Sequence, residues 1–145
     1  MMSYKKKYAM YNPINMMKDI SPEVIESFSA QGVKYTQQLL DQGRTRIQRE
    51  QLAHRIGISE RVLTELVGRA DMMRLRGVGG DLSLLLKEAS VLSCKALSEQ
   101  SVERLHRRLG ELHIGQGIAY HAPSRAQVRS WINEAQQLAE TSPDL

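Results

Sequence analysis

Apolar residues recur at helical spacing along most of this chain, and capping residues mark the breaks. Val24, Ile25 and Phe28 form one face behind Ser21-Pro22-Glu23. Ser21 suits an N-cap, Pro22 the first helical position and Glu23 the helix dipole. Gly32 ends that helix and Val33 returns to the core. Thr36 is predicted to cap a short helix carrying Leu39 and Leu40, broken at Asp41-Gln42-Gly43. From Arg49 to Leu63 the spacing is that of a helix-turn-helix. Leu52, Ala53 and Ile56 share a face, Gly57 turns, Ile58 plugs the turn and Ser59 caps a second helix with Val62, Leu63, Leu66 and Val67 inside. Its exposed positions are then Glu60, Arg61, Thr64, Glu65 and Gly68, and two acids on that face argue against base readout. Leu82 to Ala89 is apolar almost all round, which predicts the most buried helix. Ser93 caps a short helix with Ala96 and Leu97. Ser101 caps another, with Val102, Leu105 and Leu109 inward and Arg104, Arg107 and Arg108 near its outer face. Gly110, Gly115 and Gly117 predict a loop over 110–122. Ser124 and Gln127 make a capping box before a stripe of Val128, Trp131, Ile132, Ala135 and Leu138. The fold class read from this pattern is all-α, with a C-terminal amphipathic helix in which Trp131 anchors packing.

The stretch Met17-Lys18-Asp19-Ile20-Ser21-Pro22-Glu23-Val24 aligns with Leu75-Arg76-Gly77-Val78-Gly79-Gly80-Asp81-Leu82, 58 positions on. At that offset Phe28 falls on Leu86, Val33 on Val91 and Leu39 on Leu97. This reads as a diverged internal duplication, a tandem of pseudo-repeated hairpins; the rival is chance similarity of two short amphipathic hairpins. The layout is then a flexible basic arm (1–13) and one helical domain (14–140), followed by a tail (141–145). Within the domain lie a degenerate first hairpin (14–43), a bridging helix pair (44–73), a second hairpin (74–110) and the last helix (123–140).

The second hairpin carries the candidate chemistry. Three glycines in four positions at Gly77-Val78-Gly79-Gly80 let the backbone approach a partner closely, and Val78 plugs the turn into the core. A helix starting at Asp81 or Leu82 points its unpaired N–H groups back at the glycines, a generic anion site. Leu75, Gly77, Val78, Gly79 and the run Leu82, Leu84, Leu85, Leu86 resemble the helix-hairpin-helix motif, with Gly80 in place of its usual Pro. The resemblance implies that hairpin amides hold a nucleic-acid phosphate. The competing view is a tight turn that only lets two helices pack.

Charge changes this picture little. The net charge is +4, concentrated between Arg44 and Gly80, where eight Arg face four acids. That excess attracts polyanions without specificity and is ordinary for a solvated surface. Lys5-Lys6-Lys7 among Tyr4, Tyr8 and Tyr11 could grip a phosphate backbone or simply be a solvated terminus. A single cysteine, Cys94, allows no internal disulfide. With no membrane-length apolar run and no secretory signal, a cytoplasmic chain is expected. The four histidines lack partners at metal-ligand spacing, Cys94 lacks a His partner pattern, and no P-loop is present. Asp71 is expected to cap or to pair with Arg74. No enzyme activity, cofactor, metal or small-molecule substrate is expected.

From about Arg49 to Leu138 the chain resembles a mostly bacterial family of domains of unknown function, family 4332, described as helix-hairpin-helix-like. The matching pieces are Leu52-Ala53, Gly57-Ile58-Ser59, Ala70-Asp71, Arg74, Gly77-Val78-Gly79, Leu85-Leu86, Val91 and Trp131-Ile132 with Ala135. The chain departs at Ser90, where the family usually has Gly. The resemblance implies the fold, and it carries a warning: an acidic Asp81 after the glycines repels phosphate and can itself occupy the helix N-terminus. Of two functions, the sequence favours the first and leaves the other as the alternative. One is non-specific binding of a DNA or RNA backbone, through Gly77, Val78, Gly79 and Gly80 with Arg74, Arg76, Arg46, Arg49, Arg107 and Arg108. The other is a protein-interaction or assembly module whose hairpins are structural.

Overall fold

Serine and threonine set most of the helix starts. The side-chain oxygens of Ser21, Thr45, Ser59, Ser93, Ser101 and Ser124 each accept an N–H from the third residue of the helix that follows. In the computed structural model, which describes residues 12–119 and 121–145, these caps open α1 (Pro22–Ala30), α3 (Arg46–Ile56), α4 (Glu60–Met72), α6 (Cys94–Ser98), α7 (Val102–Gln116) and α8 (Arg125–Leu138). Two helices start otherwise: α2 (Thr36–Gln42) from Tyr35 and α5 (Gly80–Glu88) from Gly79. Thr36 is therefore the first helical residue rather than the cap, and it is buried. Short 3₁₀ turns lie at Ile14–Met16 and Ala139–Thr141. The chain is all-helical among the described residues. The Lys5–Lys7 and Tyr4, Tyr8, Tyr11 arm lies outside them.

The helices close around two aliphatic cores. Phe28, Val33, Leu39 and Leu40 from α1, α2 and the turn between them share the first with Leu52, Ile56, Leu63 and Val67 of α3 and α4. Leu85, Leu86, Val91 and Leu97 from α5, α6 and the turn between them share the second with Leu105, Leu109, Val128 and Trp131 of α7 and α8. The pair α3–α4 thus completes the first core, and the far end of α4 packs on α5 and α6. At its closest approach a Cβ on Gly68 would lie 1.9 Å from the Leu92 carbonyl oxygen. Gly68 is consequently buried, not exposed as its place on the polar face suggested.

The 58-residue offset recurs in the backbone. The starts of α1 and α5 are that far apart, as are those of α2 and α6. Asp19 (φ 67°) and Gly77 (φ 80°) are left-handed, as are Gly32 (φ 80°) and Ser90 (φ 65°). Phe28 O accepts from Val33 N at 2.8 Å and Leu86 O from Val91 N at 3.0 Å. Ser90 therefore keeps the turn that a glycine makes at position 32, although a side chain there costs about 1–2 kcal/mol. Ser90→Gly is expected to raise stability by about 1 kcal/mol, and Gly32→Ala to lower it by a similar amount. Urea denaturation of the two variants reads both shifts; equal midpoints for Ser90→Gly and the parent would contradict the strain.

Two chain segments differ from expectation. Helix α7 runs through Gly110 and Gly115 to Gln116, with Gly117 (φ 59°) closing it, where a loop was expected. Leu105, Leu109 and Leu112 keep one stripe on the second core, and that packing outweighs roughly 1 kcal/mol per interior glycine. The segment 141–145 is fastened to the first half. Arg44 Nη1 donates to Thr141 O (2.7 Å), Asp144 N to Arg44 O (3.0 Å), and Arg49 to both Asp144 Oδ1 and O (each 2.8 Å).

Candidate anion site at the Gly77–Gly80 turn

Between α4 and α5 the chain reverses in seven residues, and its geometry follows the local sequence. Gly77 takes the left-handed conformation. Val78 inserts into the second core and is 4% exposed. Gly79 is extended and serves as the N-cap of α5. Helix α8 braces the outside: Trp131 Nε1 donates to Arg76 O (3.1 Å), and Glu134 Oε1 accepts from Arg76 N (3.1 Å).

At the anion-binding end of this turn the chain caps one amide and packs closely beside it. Gly80 lies against the backbone of the first hairpin, where a Cβ would stand 1.8 Å from Met16 O and 3.1 Å from Met17 Cα. The Asp81 carboxylate folds back on the helix start, and its Oδ1 accepts from Leu82 N at 2.8 Å. The same oxygen is 3.8 Å from where a Gly79 Cβ would be. A carboxylate here satisfies the helix dipole, and an external phosphate would meet that charge.

Beneath the turn sits a residue that the sequence reading missed. Arg69 of α4 is 2% exposed. Its guanidinium donates to Lys18 O (2.8 Å), Gly80 O (2.9 Å) and Ser83 Oγ (3.2 Å), and so ties the two hairpin turns together. Burial lowers its pKa to about 10, against the opposing pull of Asp19, Glu65 and Glu88. The signal was present: Arg69 lies on the inward stripe of α4, three residues past Leu66 and beside Ala70.

The expected arginines do not gather around the turn. Arg74 reaches Asp71 Oδ1 (2.5 Å), Thr141 Oγ1 (2.8 Å) and Leu138 O (3.3 Å). Arg49 is buried and held by Gly43 O, Arg44 O and Asp144. Both guanidiniums are thus engaged by their own chain. Arg46 is exposed but stands 3.1 Å from Glu50 and 3.5 Å from Glu60. Arg76, Arg107 and Arg108 are exposed, the last two on α7 beside Arg104. Near the start of α7, Glu103 pairs with Arg125 of α8, whose hydrogen bond holds the Glu103 carboxyl below its ordinary pKa.

Asp71 is fully buried and pairs with Arg74, as the sequence suggested. It also accepts from Cys94 N (2.8 Å) and Ser142 Oγ (2.7 Å), which links α4, α6 and the C-terminal segment. Burial first, and the Asp71 charge second, push the Cys94 thiol far above its ordinary pKa, so it is not a thiolate at neutral pH. Among the described residues no three His, Cys, Asp or Glu side chains gather as a metal site, and no helix is long and apolar enough to cross a membrane.

Comparison with curated proteins and with solved structures finds no match. The family model described as Domain of unknown function (DUF4332) matches residues 18–138. The match takes in the first hairpin as well as the part from Arg49 onward. It spans both cores and the turn between them, and the chain belongs to this family of domains of unknown function.

Proposed function

We propose that this chain is a non-enzymatic protein-interaction or assembly module in which both hairpins are structural. One observation carries the reading: the Asp81 carboxylate accepts from Leu82 N at the α5 N-terminus, where it repels a phosphate, and Gly80 beside it packs on the Met16–Met17 backbone. The recurring 58-residue correspondence supports describing the module as a diverged tandem of helix-hairpin-helix-like units. The single, buried Cys94 suits a reducing cytoplasm.

A second reading keeps a DNA or RNA backbone as partner but moves the contact to side chains. Arg104, Arg107 and Arg108 on α7 are exposed and favour it. The test is titration of a short fluorescent DNA duplex across a salt series. Gly79→Ala is the hairpin probe, since its new methyl meets only Asp81 Oδ1 at 3.8 Å and the variant should fold. The expected result is that Gly79→Ala changes nothing and that any residual binding is weak and abolished by salt. Tight duplex binding lost in folded Gly79→Ala would overturn the proposal. Tight binding lost only in an Arg104→Ala/Arg107→Ala/Arg108→Ala triple variant would establish the second reading.

A further inference from the structure

Three arginines on α7 have no acid to pair with. Arg104, Arg107 and Arg108 are exposed and, three and four positions apart, share one outward face of the helix. Elsewhere on the surface cations stand beside acids, as Arg44 does beside Asp41, Arg61 beside Glu65 and Lys87 beside Glu88. Among the described residues none of the three forms an ion pair. Residues 1–11 and 120 contain no Asp or Glu that could supply one. Glu103, next to them, is taken by Arg125 and lies in the field of Arg129. Like charges at this spacing repel, and Arg104 stands in the first turn, where the helix dipole also opposes a cation.

The same side of α7 continues from Arg107 through Gly110 to Ile114. A Cβ on Gly110 would meet nothing within 4 Å, so packing inside the chain does not require a glycine in this helix. Ile114 is 86% exposed, the most of any large apolar side chain among the described residues. That apolar surface and the exposed acid Glu111 suit a protein here better than a phosphate backbone, which Glu111 repels. A complementary face lies on α1. Glu23 and Glu26 are exposed, are spaced as Arg104 and Arg107 are, and form no ion pair among the described residues. Ser29 and Ala30, one turn on, are exposed and small. Helix α1 packs on the first core and α7 on the second, and within one copy their charged side chains do not pair.

We propose that α7 of one copy of this chain docks on α1 of a second copy, a proposal that rests on the assembly reading above. Arg104, Arg107 and Arg108 meet Glu23 and Glu26, and Gly110 lets the small Ser29–Ala30 surface come close. The contact joins two different patches, so it is heterologous and passes from copy to copy.

The experiment is sedimentation of the full chain over a concentration series at low and high salt. Self-association is expected at low salt and is lost as salt rises, because the pairs are exposed. Two charge reversals, Arg104→Glu/Arg107→Glu/Arg108→Glu on α7 and Glu23→Arg/Glu26→Arg on α1, should each weaken it about tenfold or more. Glu26→Arg alone repeats the second reversal without touching the helix start. An equimolar mixture of the two reversed chains should associate again, since each then offers the charge the other lacks. A chain that stays monomeric at low salt overturns the proposal, as does either folded reversal without effect or a mixture that fails to associate. So does a monomeric chain whose α7 face binds a DNA duplex tightly, because the occupant is then nucleic acid. A monomeric chain leaves the Gly79→Ala duplex result untouched, so the two readings fail separately.

Discussion

Gly80→Ala should lower stability by about 3 kcal/mol or more, at the upper end for an overpacked site. The new methyl would sit 1.8 Å from Met16 O and 2.8 Å from Met16 C, both backbone atoms. Neither can rotate away, so α5 or the Ile14–Met17 turn must move as a unit. For a chain of this length that is a fall of roughly 10 °C in melting temperature. Gly79→Ala, one residue earlier, meets nothing closer than 3.8 Å and is the matched control. A melting temperature for Gly80→Ala within a degree or two of the parent would mean that the two hairpins do not touch at this point.

Arg69→Met is expected to cost about 2–4 kcal/mol, and Arg69→Lys to recover little of it. Two effects oppose one another. Removing a buried cation relieves the desolvation that lowers its pKa to about 10. Against that, Lys18 O and Ser83 Oγ lose a donor within an enclosed joint, while Gly80 O keeps only that of the Ser83 hydroxyl, and unpaired buried acceptors cost about 1–3 kcal/mol each. The second effect is the larger because several acceptors are involved. An ammonium cannot reproduce the planar fork that spans them. The pH sign follows from the same depression: the unfolded chain holds this proton between about pH 10 and its ordinary value, so Arg69's contribution to stability rises with pH only there. At neutral pH the group adds no slope. Denaturant midpoints of the two variants at pH 7 test the claim; an unchanged Arg69→Met midpoint would refute it.

Much of the fold was legible in the sequence because caps and apolar stripes are local signals. Ser21, Ser59, Ser93, Ser101 and Ser124 gave helix starts that the structure keeps. What was missed depends on contacts between distant segments. Gly110 and Gly115 look like breakers until Leu105, Leu109 and Leu112 are seen holding α7 on the second core. Arg49 looks like a surface cation until Asp144, far along the chain, closes over it. Arg74 was paired correctly with Asp71, yet the pair's burial comes from packing around α6 and the C-terminal segment. The Gly77–Gly80 turn was placed correctly in sequence. Its closure was only half visible: Asp81 could be read directly, whereas the Met16–Met17 backbone could not.

The most direct test of the account is the amide spectrum of the labelled full chain titrated with a short DNA duplex at low salt. If the chain's own Asp81 repels phosphate at this turn, the amides of Gly77, Gly79, Gly80, Asp81 and Leu82 stay fixed throughout, whatever moves on α7. Saturable shifts centred on Gly79 to Leu82, competed away by salt, would contradict it and make the turn a phosphate site.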